Sequence, residues 1–283
     1  MTLTHGGLER SYLLYRPAAA TADSKQGALL FVLHGGGGTA AGMLRLTRGR
    51  FNELADRHGF HVVYPQGFAK AWNEGRTDLI SDAHRRGVDD VGFFAALITE
   101  LVAKHPIDAK RVFATGISNG GMMSLRLGCS LPGQLRGVAP VAASIPADIV
   151  ALCQQPSGVS LVMINGTEDP LVPDGGGAVK VFDRERGQVI GTARSIDLWR
   201  LKNRCAASAQ EQELPDSTDD GTRVTRVEYA GCQAGSRVVL YRVQGGGHAW
   251  PGGTPYLGER LIGRTSRDLV AADALWDIFG ALN

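Results

Sequence analysis

The sequence predicts an α/β fold: a central, mostly parallel sheet with helices on both faces. Three observations predict it. Short β-rich runs alternate with longer stretches of helical spacing over almost the whole length. The run at residues 29–33 is continuously apolar, as a strand covered on both sides must be. Apolar residues make up 43% of the 283 positions against 20% charged, enough for the core of one domain spanning residues 1–283.

The elements follow in order. Gly6-Gly7, between residues 2–4 and the alternating 8–15, predicts a hairpin at the sheet edge. A strand follows at 29–33, and another at 61–64 that Pro65 ends. Residues 91–104 have helical spacing, with Asp89 or Asp90 placed to cap the first turn. Residues 111–115 form a strand, and a helix begins around 122–127, with Met122 and Met123 as core fillers. Strands are expected at 137–143 and 160–164, a helix at 190–202, a pair of strands at 223–229 and 237–243, and a closing helix at 267–279. Residues 210–221 are acidic and almost free of apolar side chains, so they read as a flexible loop. There is no repeat, heptad or low-complexity tract.

Composition excludes several functions. Thirty Lys and Arg against 28 Asp and Glu leave a net charge of +2, without the basic field that nucleic acid requires. No apolar run approaches the ~20 residues needed to cross a bilayer. Residues 1–7 have neither the basic region nor the apolar stretch of a leader. Thirty-eight glycines, about twice the usual share, imply tight turns and close backbone approaches. The four cysteines, at 129, 153, 205 and 232, lack zinc spacing, and no metal site is expected. Two readings of them stand: the sequence-local pairs Cys129–Cys153 and Cys205–Cys232, or four buried thiols.

The sharpest chemical signal is Gly116-Ile117-Ser118-Asn119-Gly120-Gly121, between a predicted strand and a predicted helix. A serine on such a sharp turn holds its hydroxyl above the sheet edge, and small flanking residues let the two arms approach. A hydroxyl needs a base to take its proton. His248, in a glycine-rich loop after the strand at 237–243, is the candidate. His5, His58, His61, His84 and His105 read as surface or packing residues. The base needs a carboxylate to fix its tautomer. Asp169, just past the strand at 160–164, fits, with Glu168 and Asp174 as alternatives. The order Ser, Asp, His matches an α/β-hydrolase. The oxyanion of a tetrahedral intermediate needs preorganised N–H donors. Gly36, with Gly37 beside it, and Asn119 fit that role. A phosphate cradle is the rival reading of His34 to Gly38, but the Lys-Ser/Thr ending is missing. Trp72 and Trp250 are candidate walls of an acyl pocket, with core packing as the alternative.

These residues resemble a family: the α/β-hydrolase esterases that include poly(3-hydroxybutyrate) depolymerases and feruloyl esterases. The resemblance covers nearly the whole chain. It rests on Leu33-His34-Gly35-Gly36, Tyr64-Pro65, Asp89 to Phe93, Gly116 to Gly121, Gly166 to Asp169 and Gly246 to Pro251. It implies Ser118, Asp169 and His248 as a triad, no metal or organic cofactor, and an ester as substrate. Hydroxycinnamoyl or acetyl esters of plant polysaccharide are favoured, and polyester or its oligomers are the alternative. A peptidase or acyltransferase using the same triad is a further rival. Members are usually exported, which implies a secreted or periplasmic setting and favours disulfides; a cytoplasmic setting is the alternative. The linker and extra binding domain of many polymer depolymerases are not seen here.

Overall fold

The computed structural model describes residues 1–18, 26–77, 81–181 and 184–282. The strands are β1 (Thr2–His5), β2 (Leu8–Tyr15), β3 (Gly27–Leu33), β4 (His61–Pro65), β5 (Ile107–Ile117), β6 (Gly137–Val141), β7 (Ser160–Gly166), β8 (Gly176–Val181), β9 (Arg184–Ile190), β10 (Ala209–Glu213), β11 (Arg223–Tyr229) and β12 (Val238–Gln244). The helices are α1 (Ala40–Leu46), α2 (Arg50–His58), α3 (Asp82–Arg85), α4 (Asp90–Lys104), α5 (Asn119–Ser130), α6 (Val150–Cys153), α7 (Thr192–Lys202), α8 (Glu259–Ile262) and α9 (Ala271–Gly280).

Ten strands form one sheet in the order β1-β2-β4-β3-β5-β6-β7-β12-β11-β10. The central six, β4 to β12 in that order, are parallel. An antiparallel pair closes each side. The alternation of the strand residues divides the core in two. Leu29, Phe31, Leu33, Val112, Ala114 and Met163 face α4, α5 and α7. Leu30, Val32, Phe113, Val162 and Ile164 face α1, α2 and α9. Helices on both faces are why β3 is buried at all seven positions. The chain runs from β3 to β4 on one side and reaches β5 on the other, so the strand order reverses between β3 and β5. A crevice opens at the carboxyl ends of strands at such a reversal.

Most predicted elements are present, and Asp89 caps α4 by accepting from the Gly92 N–H at 2.9 Å. Four expectations need correction. The closing helix expected from 267 begins only at Ala271. Residues 210–221 are not one flexible loop: residues 209–213 pair with β11 as an edge strand. Exposed polar and charged side chains suit an edge because they discourage pairing with another chain. Ile190 ends β9, so the helix expected from 190 begins at Thr192. Pro65 pairs with Tyr12 as the last residue of β4 instead of lying beyond it. The segment after Asp169, without a decisive pattern in the sequence, folds into the β8–β9 hairpin. Val179 and Val189 dock it on Met122, Ala143 and Val172.

The cysteines pair as Cys129–Cys153 and Cys205–Cys232. The first ties α5 to α6, and the second ties the end of α7 to the turn after β11. Each bridge contributes about 3 kcal/mol in the chain-entropy account. Reduction should therefore lower the melting midpoint by roughly 10 °C or more. Thiol titration of the denatured, unreduced chain should find no free thiol; four would contradict the pairing.

At the amino end of β4, His61 has 1% of its surface exposed, and neither ring nitrogen finds a partner among the described residues. Burial, His105 and Arg16 together lower its pKa to about 4. The unfolded chain binds this proton below about pH 6.5, whereas the folded chain resists it until about pH 4. The stability that the neutral ring allows is complete above pH 6.5 and is lost as pH falls towards 4, by at most roughly 3 kcal/mol. Replacing His61 by Leu should raise the melting midpoint at pH 4.5 relative to wild type more than at pH 7.5; equal shifts would contradict this.

Candidate active site

Four loops leave the carboxyl edge of the parallel strands, after β3, β5, β7 and β12. Ser118 sits between β5 and α5 with φ 57° and ψ −124°, a conformation that L residues rarely adopt. The turn is possible only because its flanks are glycine. A Cβ on Gly116 would lie 2.6 Å from the Gly120 carbonyl carbon, and one on Gly120 would lie 2.4 Å from the His34 carbonyl oxygen. The strand–turn–helix context expected for this motif is present.

Asp169 and His248 meet after β7 and β12, which are adjacent and parallel. Gly166 lets their loops approach, since a Cβ there would stand 2.2 Å from the Gly246 carbonyl oxygen. Asp169 Oδ1 accepts from the Leu171 and Val172 N–H groups at 2.8 Å each. Its Oδ2 lies 2.7 Å from His248 Nδ1, and both side chains are 2% exposed. A carboxylate only accepts, so Nδ1 carries the proton and Nε2 is left with its lone pair. No hydrogen bond joins Ser118 Oγ to His248 in this structure. Glu168, an alternative acid, turns to Arg264 at 3.6 Å instead.

The loop after β3 lies against the serine turn. A Cβ on Gly35 would touch Ser118 Cβ at 3.5 Å, and one on Gly36 would touch Asn119 Cβ at 3.7 Å. Among the described residues the Gly36 and Asn119 N–H groups donate to nothing. Gly37 is excluded as a donor because its N–H is committed to the Lys70 carbonyl at 2.8 Å. His34 holds the loop: its Nε2 accepts from the Gly67 N–H at 3.0 Å, so Nδ1 carries the proton given to the Gly35 carbonyl at 2.7 Å. Burial lowers the His34 pKa, which keeps the ring neutral for this double role.

The family model "Esterase PHB depolymerase" matches residues 10–149. "Putative esterase NocK" of Nocardia uniformis subsp. tsuyamanensis is 33% identical over 280 residues, covering 96% of this chain and 79% of that protein. The chain belongs to this esterase family. A feruloyl esterase B of Piromyces equi is 30% identical over 182 residues, 64% of this chain and 31% of that protein. A poly(3-hydroxybutyrate) depolymerase of Ralstonia pickettii is 25% identical over 263 residues, 88% of this chain and 53% of that protein. The chain thus spans between a third and about half the length of these last two relatives. Among solved structures, an acetyl xylan esterase from Aspergillus awamori superposes with a TM-score of 0.61 at 15% identity, covering 95% of this chain and 93% of that one. The shared fold is the α/β-hydrolase fold.

Within this esterase the two tryptophans read as candidate pocket walls are buried in the core, the alternative reading of them. Trp72 has no exposed surface; its Nε1 donates to the His34 carbonyl at 2.9 Å and its ring packs on Phe94. Trp250 is 3% exposed and edges against Phe51. Both serve the core, where the large apolar area of an indole is most stabilising.

Sequence reasoning missed the side chains that hold the site from behind. Asp90 has 1% of its surface exposed, accepts from Arg10 at 2.6 Å and from the Asn73 N–H at 2.7 Å, and so anchors the segment after Trp72. Burial raises its pKa against the opposing pull of Arg10. Glu74 is fully buried among Asn119, Arg76 and His84. Burial alone would raise its pKa, but Arg76 and then His84 hold it below the ordinary carboxylate value. Tyr256 donates to the His248 carbonyl at 3.2 Å, steadying the histidine loop. The only signal for these was the position of Glu74 two residues past Trp72 and of Asp90 beside the Asp89 cap. Charge alone did not mark either as buried.

Proposed function

We propose that this chain is a serine carboxylic-ester hydrolase, a single α/β-hydrolase domain over residues 1–283 working through an acyl-enzyme. The observation that carries the reading is the buried Asp169–His248 hydrogen bond, at the same sheet edge as a serine held at φ 57°. His248 Nε2 takes the Ser118 proton as Oγ attacks the ester carbonyl carbon. The Gly36 and Asn119 N–H groups receive the oxyanion. The tetrahedral intermediate collapses, His248 passes its proton to the leaving alcohol, and water repeats the cycle on the acyl-serine. None of these steps calls for a metal or an organic cofactor.

Hydroxycinnamoyl or acetyl esters of plant polysaccharide are the favoured substrates. The similarity to a feruloyl esterase supports this; the cavity of about 590 Å³ lined by Glu168, Asp216, Thr218, Arg223, Gln244 and Arg264 does not include Ser118, Asp169 or His248 and carries no weight in the choice. One observation favours the polyester reading: Tyr256, Leu257 and Leu261, on the segment after His248, are 43%, 40% and 47% exposed. Parallel assays on methyl ferulate, acetylated xylan and hydroxybutyrate oligomers separate the two. The favoured reading expects the highest kcat/KM on the first two; faster release from hydroxybutyrate oligomers would reverse the order. Two disulfides suit an oxidising compartment, which supports a secreted or periplasmic setting. No helix among the described residues is long and apolar enough to cross a membrane.

A further inference from the structure

We propose that Glu74 is a positioning residue for the oxyanion site, acting through the side chain of Asn119. The inference rests on the serine-hydrolase reading above. Asn119 is the first residue of α5, and its backbone N–H is one of the two oxyanion donors in that reading. Its side-chain amide is fully satisfied: Oδ1 accepts from the Trp72 N–H at 2.8 Å, and Nδ2 donates to the Trp72 carbonyl at 3.0 Å and to Glu74 Oε2 at 2.7 Å. Three bonds fix the rotamer and with it the peptide that precedes α5. An asparagine could serve the N–H role with its side chain in solvent, so a buried carboxylate is not required for the fold of the turn itself.

The same short segment also holds the other donor. Trp72 Nε1 donates to the His34 carbonyl, and Lys70 accepts from the Gly37 N–H, on either side of Gly35 and Gly36. Residues 70–74 therefore brace both halves of the oxyanion site from behind. Glu74 has no exposed surface, a costly place for a carboxylate unless its bonds are needed. Arg76 takes Oε1 and also donates to the Arg186 carbonyl, tying the brace to the β8–β9 hairpin. His84 Nε2 lies 2.8 Å from Oε2, and its Nδ1 meets Ser81 Oγ at 2.7 Å.

Glu74→Gln separates positioning from bulk. A glutamine has one acceptor oxygen, and the charged Arg76 claims it. The amide NH₂ is then left facing Asn119 Nδ2, donor against donor, with volume unchanged. With p-nitrophenyl acetate as probe, E74Q should lower the single-turnover acylation rate roughly 10- to 100-fold while KM stays within about 2-fold. Asn119→Ala should give a similar loss. Because Glu74 acts through Asn119, the double variant should be no slower than N119A by more than about 2-fold. An unchanged acylation rate in E74Q, a loss carried by KM, or losses that multiply in the double variant would overturn the proposal. Should E74Q fail to fold, N119A breaks the same bond from its other end, and an unaltered rate there overturns it equally. A wild-type enzyme that never acylates on Ser118 would remove the serine reading and this one together. Wild-type acylation on Ser118 with an undiminished E74Q would remove this one alone.

Discussion

Ser118→Ala should reduce kcat for p-nitrophenyl acetate by about 10⁴-fold or more while leaving the melting midpoint near or above that of wild type. The size follows from the loss of the only proposed nucleophile; what remains is the contribution of the oxyanion donors and binding. Stability should not suffer, for two reasons. Ser118 Oγ makes no hydrogen bond among the described residues that the fold would miss. The backbone at φ 57° is as strained for Ala as for Ser, so the strain cancels in the comparison. Steady-state kinetics and a thermal melt on the same preparation check both halves. Turnover within 10-fold of wild type would remove Ser118 from the chemistry.

Asp169→Asn should cost about 10³- to 10⁴-fold in kcat with little change in KM. The geometry gives the reason. Oδ1 of Asp169 is held by two backbone N–H groups, and an asparagine keeps those bonds by putting its own oxygen there. Its NH₂ then faces His248 Nδ1 at the position now occupied by Oδ2, 2.7 Å away. The ring must accept at Nδ1 and carry its proton on Nε2, which is the wrong tautomer for a base. The fold should survive, because the substitution is isosteric and both bonds to Leu171 and Val172 persist. A variant retaining more than a tenth of wild-type kcat would show that the acid is elsewhere.

Both substitutions concern residues that the sequence marks by local grammar. Ser118 is flanked by glycines whose absent side chains are sterically required, and Asp169 and His248 each follow a predicted strand. The same logic located the hairpin at Gly6-Gly7, a cap at Asp89 or Asp90, and a mostly parallel sheet, but it read residues 237–243 only as one of a pair with 223–229 and not as the sixth parallel strand. What escaped was set by distance along the chain. The pairing of residues 209–213 with β11 is invisible locally, because an edge strand earns its hydrogen bonds from a neighbour and has no apolar face to declare it. The Glu74, Arg76 and His84 cluster joins residues that no periodicity links to Asn119, and a charged residue reads as solvated until its partners are known. Trp72 and Trp250 failed in the opposite sense. Their aromatic area suggested a wall, in Trp250 beside His248 and in Trp72 far from it in sequence, but an indole packs the core at least as readily as it lines a pocket.

The most direct test of the account is the covalent intermediate. Quenching the wild-type enzyme in acid during turnover of p-nitrophenyl acetate, followed by digestion and mass spectrometry, should place one acetyl group on the peptide carrying Ser118, at Ser118 Oγ. The adduct should be absent from S118A and accumulate in His248→Ala only slowly, if at all. An acetyl group reproducibly on another side chain, at a level and rate that match turnover, would contradict the account. So would a pre-steady-state burst of p-nitrophenol equal to the enzyme concentration, the mark of an accumulating intermediate, with no acetyl group found on Ser118.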